Sequence, residues 1–239
     1  CNIWAGVSMP PMTREIQYEQ GSAIAGHKFF VLFLLLLTTL VLYPYAEESR
    51  FVYYAFRVLG SAAIVVSVYA VNVRRSLLIF ALILVGPALY RHFQIQLFKP
   101  NPGTFSIINI VLSFVFDVFI VVVLFRRVFA RERATSETIF GALCIYLLVG
   151  FSFASVYGML EAFQPNAFYL DPQTNLHIIP NRFDFIYYSY ATMTSLGAAG
   201  ITPVSEQARS CSVLEAIIGV LYLAVLVARL IGAYRPAGI

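Results

Sequence analysis

The feature that most limits the fold of this chain is a series of apolar runs, each long enough to cross a lipid bilayer. Six stretches reach the roughly 20 mostly apolar residues that a membrane-spanning helix requires. They are Phe29–Ala46, Phe51–Val73, Ser76–Phe93, Thr104–Phe125, Thr138–Phe163 and Ser212–Ala233. Only 12% of the residues are charged, whereas a soluble domain carries about 25%. The sequence therefore predicts an all-α integral membrane protein with six transmembrane helices.

The basic residues predict the orientation of these helices. Six spans place both termini on one side, and that side carries ten of the basic residues against five or six on the other. The ten are Arg14, Lys28, Arg74, Arg75, Arg126, Arg127, Arg131, Arg133, Arg229 and Arg235. Because basic loops stay in the cytoplasm, both termini are expected there. The net charge of +4 thus indicates membrane topology and lipid partners rather than nucleic acid.

The same pattern divides the chain into four parts. Residues 1–27 form a polar cytoplasmic segment, and 28–125 a domain of four helices. Residues 126–137 form a basic linker, expected to lie on the inner lipid surface, and 138–239 a domain of two helices. The fourth span has no Arg or Lys and carries only Asp117 as a charged residue. Voltage sensing by this helix is therefore not expected, because sensors need regularly spaced cations.

A seventh apolar segment, Asp184–Ser195, is too short to cross the bilayer. Such a segment between two spans is typical of a re-entrant element. It predicts a short helix with Asp184 at its outer N-terminus, where a carboxylate complements the helix dipole, followed by a strand that returns outward. The C-terminal end of this helix, pointing to the middle of the bilayer, carries partial negative charge. Four such ends around one axis would favour a cation.

The residues that follow carry a specific resemblance. Thr192-Met193-Thr194-Ser195-Leu196-Gly197 and Ile201-Thr202-Pro203 resemble the potassium-channel signature Thr-x-Thr-Thr-Leu-Gly-Tyr-Gly-Asp-Ile-Thr-Pro. Arg209-Ser210 and the run from Val213 to Arg229 resemble the inner helix of bacterial channels with two helices per pore. The resemblance covers roughly residues 138–233.

The resemblance implies a homotetramer in a bacterial plasma membrane that conducts cations passively. Each protomer would contribute an outer helix, a turret loop over Gln164–Arg182, a pore helix, a selectivity filter and an inner helix. Monovalent cations such as potassium would bind at the filter carbonyls, without a soluble cofactor. No arrangement of catalytic residues suggests an enzyme. The three histidines and three cysteines have no metal-site spacing.

The chain departs from the family in the middle of the filter, where Gly197-Ala198-Ala199-Gly200 replaces Gly-Tyr-Gly-Asp. Filter carbonyls replace the ion's water shell, an arrangement that needs positive φ at its glycines. An alanine at position 199 would cost about 1–2 kcal/mol per subunit there. Ala198 lacks the ring that braces the family's filter against pore-helix aromatics.

Three interpretations of this departure are open. The filter is wider and weakly selective, or it is collapsed and non-conducting, by nature or by engineering, or it selects potassium through a shifted arrangement that uses Gly200. A second class of function is a non-conducting membrane subunit that keeps the channel fold for assembly or scaffolding.

The resemblance and the positions in the predicted helices give the expected site residues. The filter would comprise Thr194, Ser195, Leu196, Gly197, Ala198, Ala199 and Gly200. Tyr187, Tyr188 and Asp184 would support the pore helix. Glu215 would support the filter by bonding to its strand or to Arg209. Gly219 is either a gating hinge or a site of close helix packing, and Val225 and Ala228 would line the inner cavity. Of the other intramembrane charges, Arg57 is expected to snorkel outward and Asp117 to reach Arg74, Arg75 or Arg126.

Overall fold

The computed structural model describes residues 28–42, 45, 58–60, 62–63, 66, 104–130, 135–175, 177–197 and 200–233. The helices with defined bounds in these ranges are α1 (Lys28–Leu42), α2 (Thr104–Phe129), α3 (Ser136–Phe163), α4 (Arg182–Met193) and α5 (Glu206–Ala233). Residues 58–60, 62–63 and 66 are helical as well. Two strands, β1 (Phe168–Leu170) and β2 (Ile201–Pro203), also lie in the described ranges. The predicted spans Phe51–Val73 and Ser76–Phe93 lie almost entirely outside the described residues, as do residues 1–27 and Arg57.

Two helices of the described part are long and apolar enough to cross a membrane. They are Glu137–Phe163 and Glu206–Gly232, each of 27 residues. At about 1.5 Å per residue each is roughly 40 Å long, which exceeds the ~30 Å of a bilayer's hydrocarbon core. The two helices are antiparallel, because Tyr157 near the end of α3 contacts Glu215 in the first half of α5, whereas Ala142 near the start of α3 contacts Tyr222 in the second half.

Several helix boundaries differ from the predicted ones. Helix α2 continues to Phe129, so Arg126 and Arg127 lie in its last turn, where cations complement the helix dipole. The predicted basic linker 126–137 is therefore shorter, since α3 already begins at Ser136. Helix α5 begins at Glu206 rather than at Ser212, because Ser205 caps it by accepting a hydrogen bond from the Ala208 amide (3.2 Å).

A core of apolar side chains holds α1 and α2 against α3. Leu32 of α1, Ile120 and Leu124 of α2 and Ala142 of α3 are all fully buried in it. Asp117, one turn before Ile120, lies close enough to Tyr190 of α4 for an electrostatic interaction. Two of its predicted partners, Arg74 and Arg75, lie outside the described residues.

A second set of contacts joins α2 to the end of α5. The Arg229 guanidinium lies 4.6 Å from the centroid of the Phe129 ring, and its Nη2 donates to the Phe129 carbonyl (3.4 Å). The ring of Phe129 also stacks on Phe125, with centroids 4.1 Å apart. The last turns of α2 and α5 are therefore in direct contact.

The fold is not purely helical, because β1 and β2 form a two-stranded antiparallel sheet. Phe168 pairs with Pro203, Tyr169 with Thr202 and Leu170 with Ile201. The returning strand was expected, but β1 lies inside the predicted turret loop Gln164–Arg182 and was not. Because β1 follows α3 and β2 precedes α5, residues 171–200 leave and return to one place, the junction between the two long helices.

Candidate ion-conduction site

The short helix α4 begins at a well-capped N-terminus. The Asn181 side chain accepts hydrogen bonds from the amides of Phe183 (2.7 Å) and Asp184 (3.1 Å). Asp184 in turn accepts from the Asn181 amide (2.7 Å), which completes a capping box. His177 also lies against Asp184, with Nε2 2.8 Å from Oδ2. The first turn therefore has its carboxylate at the position predicted from the sequence.

The C-terminal end of α4 lies at the middle of both long helices. Ser189 contacts the carbonyl of Gly150 (2.7 Å), and Gly150 is the central residue of Glu137–Phe163. The Met193 carbonyl packs so closely on Gly219 that an added Cβ there would lie 2.5 Å from it. Gly219 is the central residue of Glu206–Gly232. Twelve residues of α4 span about 18 Å, close to half the length of α3 or α5.

Helix α4 ends in a Schellman motif. The Leu196 amide donates to the Ala191 carbonyl (2.9 Å) and the Ser195 amide to the Thr192 carbonyl (3.1 Å). This motif requires a left-handed residue after the cap, and Ser195 fills it with φ +58°. Thr194 further donates through Oγ1 to the Tyr190 carbonyl (2.6 Å). The carbonyls of Tyr190, Ala191 and Thr192 are thus bonded within the chain.

Four described residues of the predicted filter, Thr194–Gly200, lie on the surface of the chain, and we call 194–200 the filter segment. Leu196 is 75% exposed, and Thr194, Ser195 and Gly197 are exposed as well. Gly197 and Gly200 both have positive φ, +83° and +88°, a region that glycine adopts without steric cost. Ala198 and Ala199 lie outside the described residues, so the predicted strain at position 199 stays a prediction.

The C-terminal end of the filter segment is bonded to residues of the predicted turret in the same chain. The Gly200 carbonyl accepts hydrogen bonds from the Asp171 amide (2.9 Å) and from the Asn175 side chain (2.7 Å). We call these three residues the turret clamp. Asp171 also folds the turret into a turn, because its carboxylate accepts from the Gln173 amide (3.0 Å). An Asp-Pro pair at 171–172 is a turn signal, but it does not indicate that the turn bonds to Gly200.

A substitution at Asn175 tests the clamp. Asn175→Asp places a carboxylate oxygen against the Gly200 carbonyl, so two acceptors face each other and the hydrogen bond is lost. We expect the apparent stability to fall by about 1–2 kcal/mol, measured by thermal unfolding in detergent. Gln173→Glu makes the same chemical change at an exposed neighbour. Equal unfolding temperatures for the two variants would contradict the clamp.

The two tyrosines predicted to support α4 differ in environment. Tyr188 is 4% exposed, packs edge-to-face on Tyr157 (5.0 Å) and Phe168 (5.3 Å), and its hydroxyl lies 2.6 Å from the Ser212 hydroxyl. It therefore fixes α4 against α3, β1 and α5. Tyr187 is 45% exposed and points away from the protomer.

Glu215 is close to the predicted location but has other partners. Its side chain is fully buried, with Oε2 2.5 Å from the Tyr157 hydroxyl and Oε1 2.5 Å from the Ser189 hydroxyl. The predicted bond to the filter strand or to Arg209 was wrong. Arg209 is exposed and donates through Nε to the Pro203 carbonyl (3.1 Å). Glu215 instead joins α5 to α3 and α4.

The rest of α5 leaves much of its apolar surface uncovered. In the most apolar 18-residue stretch of α5 only 17% is buried, whereas in that of α3 56% is buried. Val225 and Ala228, predicted to line the inner cavity, are both exposed, and their role stays a prediction. Of the two roles open for Gly219, the contact with Met193 supports close packing.

Comparison with known proteins gives one finding. Residues 141–235 match the family model described as ion channel. The match supports an ion channel, which is a transport protein rather than an enzyme. It covers nearly all of α3, the turret, α4, the filter segment and α5. The comparisons with curated proteins and with solved structures return no match. In the described part of the chain, no group of three or more His, Cys, Asp or Glu side chains could hold a metal ion.

Proposed function

We propose that this protein is a homotetrameric channel with a potassium-channel-type pore that conducts monovalent cations passively. The observation that carries the proposal is the position of the end of α4. It reaches the central residues of both long helices, Gly150 and Gly219, and the β1–β2 pair returns the chain to its starting point. In a bilayer crossed by α3 and α5, α4 is then a half-crossing helix with its C-terminus at mid-depth.

The electrostatics of this arrangement favour cations. The C-terminus of a helix carries roughly half a negative charge, and four such ends around a cyclic axis point at one volume of low dielectric. The exposed filter residues of each protomer, among them Leu196 at 75% exposure, would border the ion path on that axis. The uncovered face of α5 supplies surface for neighbouring protomers, the inner cavity and lipid.

For the selectivity we propose a filter that discriminates weakly among monovalent cations. The ring that braces the family's filter is missing at Ala198. Ser195 and Gly197, two residues apart, both have positive φ. The carbonyls of Ala191 and Thr192 accept hydrogen bonds in the Schellman motif. Without the brace, the filter carbonyls are not held at a spacing suited to one ion.

Reversal potentials under bi-ionic conditions test this function. We expect the purified protein in liposomes to pass potassium and sodium with similar permeability and to exclude chloride. The variant Ala198→Tyr/Ala199→Gly restores the two central family residues and should shift the reversal potential toward potassium selectivity. Protein-free liposomes are the control. A chain that assembles as a tetramer but passes no ion would instead support the scaffold function.

A further inference from the structure

The oxygen–oxygen contacts around Glu215 outnumber the hydroxyl protons that could bridge them. Glu215, Ser189 and Tyr157 are each 0% exposed. Three oxygen–oxygen contacts join them to the backbone: Tyr157 to Glu215 (2.5 Å), Ser189 to Glu215 (2.5 Å) and Ser189 to the Gly150 carbonyl (2.7 Å). Each contact needs one proton. The two hydroxyls supply only two, because a hydroxyl carries a single donor.

The third proton is assigned to the carboxyl group of Glu215. A backbone carbonyl only accepts, so the Ser189 proton is directed to Gly150. The contact between Ser189 and Oε1 of Glu215 then requires a proton on Oε1, while Oε2 accepts from Tyr157. An ionised carboxylate would leave two acceptors facing each other at 2.5 Å or 2.7 Å in a site without water access.

The neighbours of Glu215 give no compensation for a negative charge. From α3, Tyr146 and Tyr157 face it, from α4 Tyr188 and Tyr190, and from α5 Cys211. Within the described residues no basic side chain lies at ion-pair distance from it. Burying an unpaired carboxylate is far more costly than burying a neutral acid.

We propose that Glu215 is a neutral, protonated positioning residue that fixes the pore helix α4 between α3 and α5. It donates to Ser189 on α4 and accepts from Tyr157 on α3, so one side chain sets the position of three helices. Ser189 is one turn from Met193, the residue in contact with Gly219. This inference deepens the proposed function, since the position of α4 decides where its C-terminus points.

The protonated acid predicts a specific pattern among substitutions. Glu215→Gln has the same shape and the same capacity, because an amide donates through nitrogen and accepts through oxygen. We expect its ion flux and unfolding temperature to stay near those of the wild type. Glu215→Asp is shorter by one methylene and cannot reach both hydroxyls. Its flux should fall by about tenfold, as expected when a buried hydrogen bond is lost.

Infrared spectroscopy detects the proton on Glu215 independently of any measurement of ion flux. We expect the wild-type protein at neutral pH to show a carbonyl band of a protonated carboxylic acid that is absent in Glu215→Gln. Raising the pH should remove the band and lower the flux of the wild type, while the flux of Glu215→Gln should not change. The wild-type flux falls as the pH rises because ionisation of Glu215 removes the proton that it donates to Ser189.

Two outcomes would overturn the inference. One is the absence of this band in wild-type protein that is folded at neutral pH. The other is a Glu215→Gln variant as impaired as Glu215→Asp, since an ionised carboxylate would tolerate an amide poorly. If no ion passes but the band is present and Glu215→Gln unfolds near the wild-type temperature, the proposed channel function fails and the assignment of the proton stands.

Discussion

Replacing Gly219 by alanine is expected to destabilise the protein by about 2–3 kcal/mol, because overpacking of a tight contact costs that much. A Cβ at this position would lie 2.5 Å from the Met193 carbonyl and 2.6 Å from the Met193 Cγ. The carbonyl belongs to the backbone at the end of α4 and cannot move aside without displacing the filter segment. We therefore expect a lower unfolding temperature and a strong loss of ion flux.

Gly232 provides the matched control, because it lies in the same helix and an added Cβ would meet nothing within 4 Å. Alanine there should stabilise the protein by up to about 0.5–1 kcal/mol, since it is a better helix former than glycine. The two glycine-to-alanine variants should thus move the unfolding temperature in opposite directions. If Gly219→Ala keeps wild-type stability and changes only gating, the glycine acts as a hinge and not as a packing site.

The second large effect is expected at Gly200. Its φ of +88° is strained for any residue with a Cβ, at about 1–2 kcal/mol. An added Cβ would also collide with Thr174 Oγ1 and lie 2.9 Å from the Asn175 Nδ2. Strain and collision together give Gly200→Ala an expected cost of about 2–4 kcal/mol, measured by thermal unfolding in detergent.

Gly197→Ala separates the two causes. Gly197 has nearly the same φ, +83°, but nothing lies within 4 Å of an added Cβ. This variant should lose only the cost of the strain, about 1–2 kcal/mol. Equal losses at the two glycines would show that the turret does not press on the filter segment.

The contacts of Gly200 also decide which family residues can be restored. The family has aspartate at this position, and Gly200→Asp would have to enter the space occupied by Thr174 and Asn175. An added side chain would displace Asn175, whose amide group donates to the Gly200 carbonyl in the turret clamp. Restoring the filter therefore requires Ala198→Tyr/Ala199→Gly with Gly200 unchanged.

The sequence predicted the elements that depend on local apolar pattern. The short helix was expected over Asp184–Ser195 and is found at Arg182–Met193. The two long helices around it were also expected. Their ends were less accurate where polar residues extend a helix beyond its apolar run, as the first turns of α5 do from Glu206. The apolar pattern alone does not reveal a capping residue such as Ser205.

The contacts between distant residues were not predictable in the same way. Strand β1 has only three residues and is stabilised by a partner far along the chain, so no local pattern indicated it. A supporting role for Glu215 was expected, but its partners Tyr157 and Ser189 lie 58 and 26 residues away. Which hydroxyls meet one carboxyl group depends on how three helices pack.

The β1–β2 pair forms within a single chain and does not depend on a second copy of it. The ends of residues 171–200 are already joined by Leu170 and Ile201, so the entropy of closing that loop is lost during folding of a single chain. Association then has to restrict mainly rigid-body motion and side chains at the contact. In the proposed tetramer, four chains would therefore meet in the plane of the lipid with the ends of this loop already fixed.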